Sequence, residues 1–153
     1  MLHIIFFEPE IPGNSGNAIR LSACTNCMLH LVEPLSFDMD SAKVKRAGLD
    51  YHDMAHVKVH PNLEDAFKDI PGKIYAFTGH TKNFFTDVTY NDGDGLLFGR
   101  ESTGLPEEVM AHKRVEKRLR IPMMPNNRSL NLAVSASIAV YEAWRQANFP
   151  GAV

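Results

Sequence analysis

Short apolar runs alternate along the chain with longer mixed segments. Residues 2–7 are β-branched and aromatic and end at Glu8-Pro9, which predicts a strand. Residues 28–32, closed by Glu33-Pro34, and the runs 73–77 and 95–98 read the same way, and 55–59 alternates like a third strand. A sixth strand is predicted over 118–121, stopped by Pro122. Between these runs, 14–24 predicts a helix with Asn14 or Ser15 as N-cap, and 41–47 a short helix stopped by Gly48. Residues 62–70 predict a helix capped by Asn62 and ended by Pro71-Gly72, and 106–112 one opened by Pro106 at its first position. The longest helix is predicted over 129–147.

Alternating strands and helices predict an α/β fold, a mostly parallel sheet flanked by helices. No repeat, linker or low-complexity segment divides residues 1–153, which read as one domain. In the last helix Leu130, Val134, Ile138 and Tyr141 make one apolar stripe, and Val140, Ala143, Trp144 and Ala147 a second. Two apolar faces need two partners: the sheet plus a second subunit, or a core surrounding the helix.

Composition fits a globular chain: 44% apolar, 22% charged and net charge −2, too apolar and too weakly charged for disorder. Apolar runs of a few residues are far short of the about 20 needed for a membrane span, and no signal peptide is visible. A cytoplasmic location is the expectation. The positive charge is clustered, with Lys43, Lys45 and Arg46 in one group and Lys113, Arg114, Lys117, Arg118 and Arg120 in another. Such clusters suit either two solvated faces or a polyanion.

Common catalytic signatures are missing. There is no Gly-x-Gly-x-x-Gly after a strand, no phosphate loop and no Gly-x-Ser-x-Gly elbow. Cys24 and Cys27 sit near a helix end before a strand, the wrong place for a redox pair, and no second pair completes a zinc site. His52, His56 and His60 would spread along a strand over 55–59, which disfavours a shared metal. The loops after the first, fifth and sixth strands are rich in Gly, Pro, Asn and Ser. In a parallel sheet ligands bind at such strand ends. Asn14, Asn17 and Arg20, three apart, fit a phosphate- or ribose-binding helix face, and equally an Asn cap plus a surface Arg.

Three segments together are more specific: Asn14-Ser15-Gly16-Asn17-Ala18-Ile19-Arg20, Leu97-Phe98-Gly99-Arg100-Glu101-Ser102-Thr103-Gly104-Leu105-Pro106, and Ile121-Pro122-Met123 followed by Asn127-Arg128-Ser129-Leu130-Asn131-Leu132. They resemble the three motifs of the SpoU branch of the SPOUT RNA 2′-O-ribose methyltransferases. Gly48-Leu49-Asp50-Tyr51-His52 and Tyr141-Glu142-Ala143-Trp144-Arg145-Gln146 resemble its compact subgroup, which methylates the ribose of nucleotide 34, cytidine or modified uridine, in tRNA. The likeness spans residues 1–151 and is weak over 60–92. It departs at Ser15, where Thr is common, at Arg100, where Pro is common, and at Cys27 and Met28.

The resemblance implies a C-terminal trefoil knot, which ordinary topology rules would not have suggested. It implies a homodimer, S-adenosylmethionine (AdoMet) as methyl donor with S-adenosylhomocysteine as product, and no metal. Phe77, Gly99, Ile121, Ser129 and Leu130 would line the AdoMet pocket. Arg20, assisted by Asn14 and Asn17, would serve catalysis, and Glu101 would anchor the second loop. Lys43, Arg46, Arg114, Arg118, Arg128 and Tyr141 would meet the tRNA anticodon stem-loop. A guanidinium with pKa above about 12 orients and stabilises better than it deprotonates. Two other readings stay open: the same chemistry on another tRNA or rRNA nucleotide, and a non-catalytic RNA-binding module.

Overall fold

The computed structural model describes residues 1–39 and 51–153. The predicted helix over 41–47, with Lys43, Lys45 and Arg46, lies outside the described residues. The elements in chain order are β1 (His3–Phe7), α1 (Pro12–Thr25), β2 (Met28–Val32), α2 (Tyr51–Met54), β3 (Val57–His60), α3 (Leu63–Lys68), β4 (Ile74–Phe77), β5 (Gly95–Phe98), α4 (Glu107–Met110), β6 (Val115–Leu119) and α5 (Leu132–Gln146).

The strands form one sheet in the order β3-β2-β1-β5-β4-β6, and every adjacent pair is parallel. Side chains of a strand alternate between faces, and here both faces are covered, so the inner strands are largely apolar, with His3 in β1 and His30 in β2 as exceptions. Ile4, Phe6, Leu29, Leu31, Leu96 and Phe98 pack on one face with Ala136, Ala139 and Val140 of α5. Ile5, Phe7, Val32, Ile74 and Leu97 pack on the other with Phe67 of α3 and Val109 and Met110 of α4. No described helix is long and apolar enough to cross a membrane.

Several boundaries differ from expectation. Helix α1 starts at Pro12, and its N-cap is Ile11, without a side-chain cap, rather than Asn14 or Ser15. Strand β6 covers 115–119, not 118–121, because its register follows β4 from Ile74 opposite Val115 to Phe77 opposite Leu119. Beyond it Arg120 bridges Phe84 instead. The charges of Glu116, Lys117 and Arg118 hid this strand, although charged residues are what a sheet edge carries. Residues 51–54 are helical and β3 begins at Val57, so His52 and His56 stand outside the strand, their rings 5.6 Å apart. Helix α5 begins after Asn131, whose side chain accepts hydrogen bonds from the amides of Ala133 and Val134. Ser129 and Leu130 are thereby left in the preceding loop.

On α5 the two stripes part company. Val140 and Ala143 are buried, while Val134 and Tyr141, with Leu130 ahead of the helix, are 47%, 46% and 39% exposed. The helix is therefore not surrounded by its own chain's core.

Three histidines on neighbouring strands form a row. His3 Nδ1 lies 2.9 Å from His30 Nε2, and His30 Nδ1 lies 2.8 Å from His60 Nε2. His30 is fully buried, and burial pushes its pKa down to about 3.

Candidate active site

A cleft of about 610 Å³ opens beyond the carboxyl ends of β4, β5 and β6. That is the size of a small-molecule site, ~300–1,000 Å³. Its walls come from Phe77 to His80 after β4, Phe98 to Leu105 around β5, Ile121 and Met123 after β6, the approach to α5 from Ser129 to Leu132, and Ile11 and Asn14. The structure thus brings Phe77, Gly99, Ile121, Ser129 and Leu130 to one cleft. Phe77 and Phe98 stack at its floor, ring centroids 4.6 Å apart. The floor is apolar, and the walls are loops whose backbone can supply directional donors and acceptors.

The loops are tied to one another by polar side chains, of which Asn14 is buried. The Glu101 carboxylate accepts from the amides of Glu10 at 2.9 Å and Ile11 at 2.7 Å, and from Asn14 Nδ2 at 3.1 Å. A negative charge therefore sits at the uncapped start of α1, where the helix dipole favours it. The Glu10 carboxylate returns the contact, accepting from the Ser102 amide at 3.0 Å and hydroxyl at 2.6 Å. Those two bonds hold the Glu10 carboxyl below its ordinary pKa. Asn131 Nδ2 donates to Asn14 Oδ1 at 2.9 Å. One buried Asn14 side chain thus joins the loop after β1, the loop after β5 and the start of α5.

Gly99 has a backbone reason to be glycine. A Cβ there would stand 2.2 Å from the Gly104 carbonyl carbon and the Leu105 nitrogen. Such a Cβ would strike its own loop, which doubles back through the Arg100–Gly104 bridge. Gly104, at φ +72°, makes the turn. Arg100 lines the cleft but pairs with Glu8 and stands 5.1 Å over the Phe7 ring.

The expected face of Asn14, Asn17 and Arg20 divides. Asn14 is buried in the loop network, whereas Asn17 and Arg20 are exposed. Six positions along α1 separate Arg20 from Asn14, ~9 Å of helix. Arg20 does not line the cleft; its guanidinium lies 3.6 Å from the buried carboxylate of Asp53 in α2.

The residues expected at RNA are scattered. Lys43 and Arg46 lie outside the described residues. Arg114 faces inward and donates to the carbonyls of Phe67, Ile70 and Gly72 at 2.9, 2.8 and 3.2 Å, at the end of the sheet opposite the cleft. It clamps the chain after α3. Arg118 makes two bonds to the Glu107 carboxylate at 3.1 and 2.7 Å. It too is committed within the fold. Arg128 and Tyr141 are exposed, Arg128 next to the cleft and Tyr141 on α5. Sequence reasoning missed Glu10, Ser102 and Asn131. Only Asn131 had a signal, an Asn directly before an apolar helical run.

The SpoU rRNA Methylase family matches residues 1–141. A tRNA (cytidine(34)-2′-O)-methyltransferase of Methylovorus glucosotrophus is 47% identical over 154 residues, covering 100% of both chains. A solved structure concerned with the 2-OH methylation of C/U34 on tRNA superposes with TM-score 0.89 at 43% identity, over 97% of each chain. An AdoMet-bound rRNA methyltransferase of Sinorhizobium meliloti superposes with TM-score 0.81 at 26% identity, over 94% of this chain and 56% of the other.

Proposed function

The chain belongs to the SpoU rRNA Methylase family, and from that premise we propose that it transfers the AdoMet methyl group to the ribose 2′-hydroxyl of nucleotide 34, cytidine or modified uridine, in tRNA. Full-length likeness to a protein named for that activity supports the choice of nucleotide. The observation that carries the reading is the meeting of three motif loops on one cleft, locked by Glu101, Asn14 and Asn131.

AdoMet, when bound, supplies a methyl group already activated on a sulfonium, so the chemistry calls for position rather than a metal. Phe77, Gly99, Ile121, Ser129 and Leu130 would hold the cofactor, with the stacked rings of Phe77 and Phe98 offering an apolar floor. Fixing donor and acceptor in line supplies roughly 7–11 kcal/mol in favourable cases. Arg20, held beside Asp53, orients the ribose and its phosphate and stabilises charge developing on the 2′-oxygen. Asn17 is the exposed neighbour able to share that contact, while Asn14 acts through the loops. Arg128 and Tyr141 meet the anticodon stem-loop.

The working unit is a homodimer in the cytoplasm. Leu130, Val134 and Tyr141 leave an apolar stripe uncovered beside the cleft, and Arg20 lies away from its own cleft. A second copy seated on the stripe would cover it and bring its Arg20 to this chain's cofactor. The C-terminal segment forms a trefoil knot, a reading supported by likeness to the SpoU structures.

The test is direct. Purified protein, AdoMet and tRNA from cells lacking the gene are incubated, and the tRNA is digested and mapped by mass spectrometry. Methylation at the 2′-oxygen of nucleotide 34 is expected; a product elsewhere, or none, refutes the assignment.

A further inference from the structure

Away from the cleft, at the β3 edge of the sheet, the end of the histidine row meets a carboxylate. His30 Nδ1 and His60 Nε2 are 2.8 Å apart, and Asp69 Oδ2, just past α3, is 3.8 Å from His60 Nε2. These three side chains are the only described group of this kind able to offer three ligand atoms to one ion. We propose that His30, His60 and Asp69 form a binding site for a divalent cation of the zinc class, separate from methyl transfer.

The geometry is close to what such an ion requires. Tetrahedral zinc with bonds of about 2.0–2.1 Å sets neighbouring ligand atoms about 3.3 Å apart; the separations at His60 lie on either side of that value, and all three atoms lie within 4.8 Å of one another, so the exposed Asp69 carboxylate would close in on the ion. Two imidazoles and a carboxylate leave a fourth position open, on the side where Asp69 reaches solvent, for a water. The ligands stand on different elements, β2, β3 and the segment after α3, so the ion would fasten the sheet edge to its covering helix. His30 is fully buried and cannot swing away. Its other nitrogen, Nε2, is 2.9 Å from His3 Nδ1, so His3 is the outer partner that fixes the ring and tautomer of a ligating histidine.

Binding balances without losing a proton. In the metal-free row one proton lies between His30 Nδ1 and His60 Nε2. When both nitrogens turn to the ion, that proton moves to the far nitrogen of the ring that carried it. On His30 that nitrogen is Nε2, which then donates to His3 Nδ1, while the proton that His3 Nδ1 had donated in the metal-free row moves to His3 Nε2. The competitor is Lys58, whose Nζ stands 3.2 Å from Asp69 Oδ2. Its side chain is more than half exposed and swings into water when the cation arrives.

The experiment uses the full chain without a polyhistidine tag. Zinc chloride is titrated calorimetrically in a non-chelating buffer, and melting temperature is followed in parallel. One equivalent of Zn²⁺ is expected, with a rise in melting temperature. Asp69 and Lys58 are exposed enough to replace without refolding the core. Asp69→Asn should weaken binding ~10-fold or more, and Lys58→Gln should tighten it. The paired variant His52→Gln, His56→Gln controls for the other histidine pair and should bind as wild type. The proposal is overturned if wild type takes up no stoichiometric zinc, if Asp69→Asn binds as well as wild type, or if the control loses the ion.

Discussion

Asn131 and Asn14, far apart in the sequence, share a 2.9 Å amide hydrogen bond, and through it the cap of α5 is set against the first turn of helix α1. Asn14→Ala would strand the Asn131 amide and remove one of the three donors on Glu101. The expected loss is about 1–3 kcal/mol of stability, read by urea denaturation, with weaker AdoMet binding because two cleft loops lose their tie. Unchanged values in both measurements would show that the network does not hold the cleft.

Gly99→Ala should suffice to damage the cleft. One methyl group placed 2.2 Å from backbone atoms forces the 99–105 loop to move, and Glu101 moves with it. Calorimetry should find AdoMet affinity largely lost, and a wild-type affinity would mean the loop yields at no cost.

Arg20→Ala should lower turnover ~10²–10³-fold while AdoMet affinity stays near wild type, because Arg20 lies outside the cleft of its own chain. A second dead variant tests whether two chains share a site. Gly79 lines the cleft with nothing near its missing side chain, so Gly79→Trp should fold and obstruct the cofactor. Mixed Arg20→Ala and Gly79→Trp dimers should regain up to one working site. Silent heterodimers, confirmed by native mass spectrometry, would mean that each chain completes its own site.

Cys24→Ser with Cys27→Ser should leave activity unchanged in reducing and non-reducing buffer. Cys24 is exposed, Cys27 buried, and neither is in a disulfide. Burial pushes the Cys27 thiol up, which keeps it protonated and unreactive. Activity lost only on oxidation of the wild type would contradict this.

What the sequence revealed followed from apolar pattern. The β-branched and aromatic run Ile4-Ile5-Phe6-Phe7, closed by Glu8-Pro9, marked a strand covered on both faces, and the Gly-bearing loops after β1 and β5 marked the ligand edge. Charge was a poorer guide. Arg114 and Arg118 look like one basic patch in the sequence, yet one is bound to three carbonyls and the other to Glu107. Those partners arrive only through tertiary packing. His30 was invisible for the opposite reason: a lone imidazole in an apolar strand gives no sign that two others will meet it across neighbouring strands.

The strand order also bears on the birth of the protein. β1 is followed closely in the chain by its partner β2, but its other neighbour is β5, with Gly95 opposite His3. Until most of the chain has been made, the central seam of the sheet stays open, with an apolar strand edge facing water. Pairing across so long a stretch is slow. The central seam of the sheet therefore closes only when β5 pairs with β1.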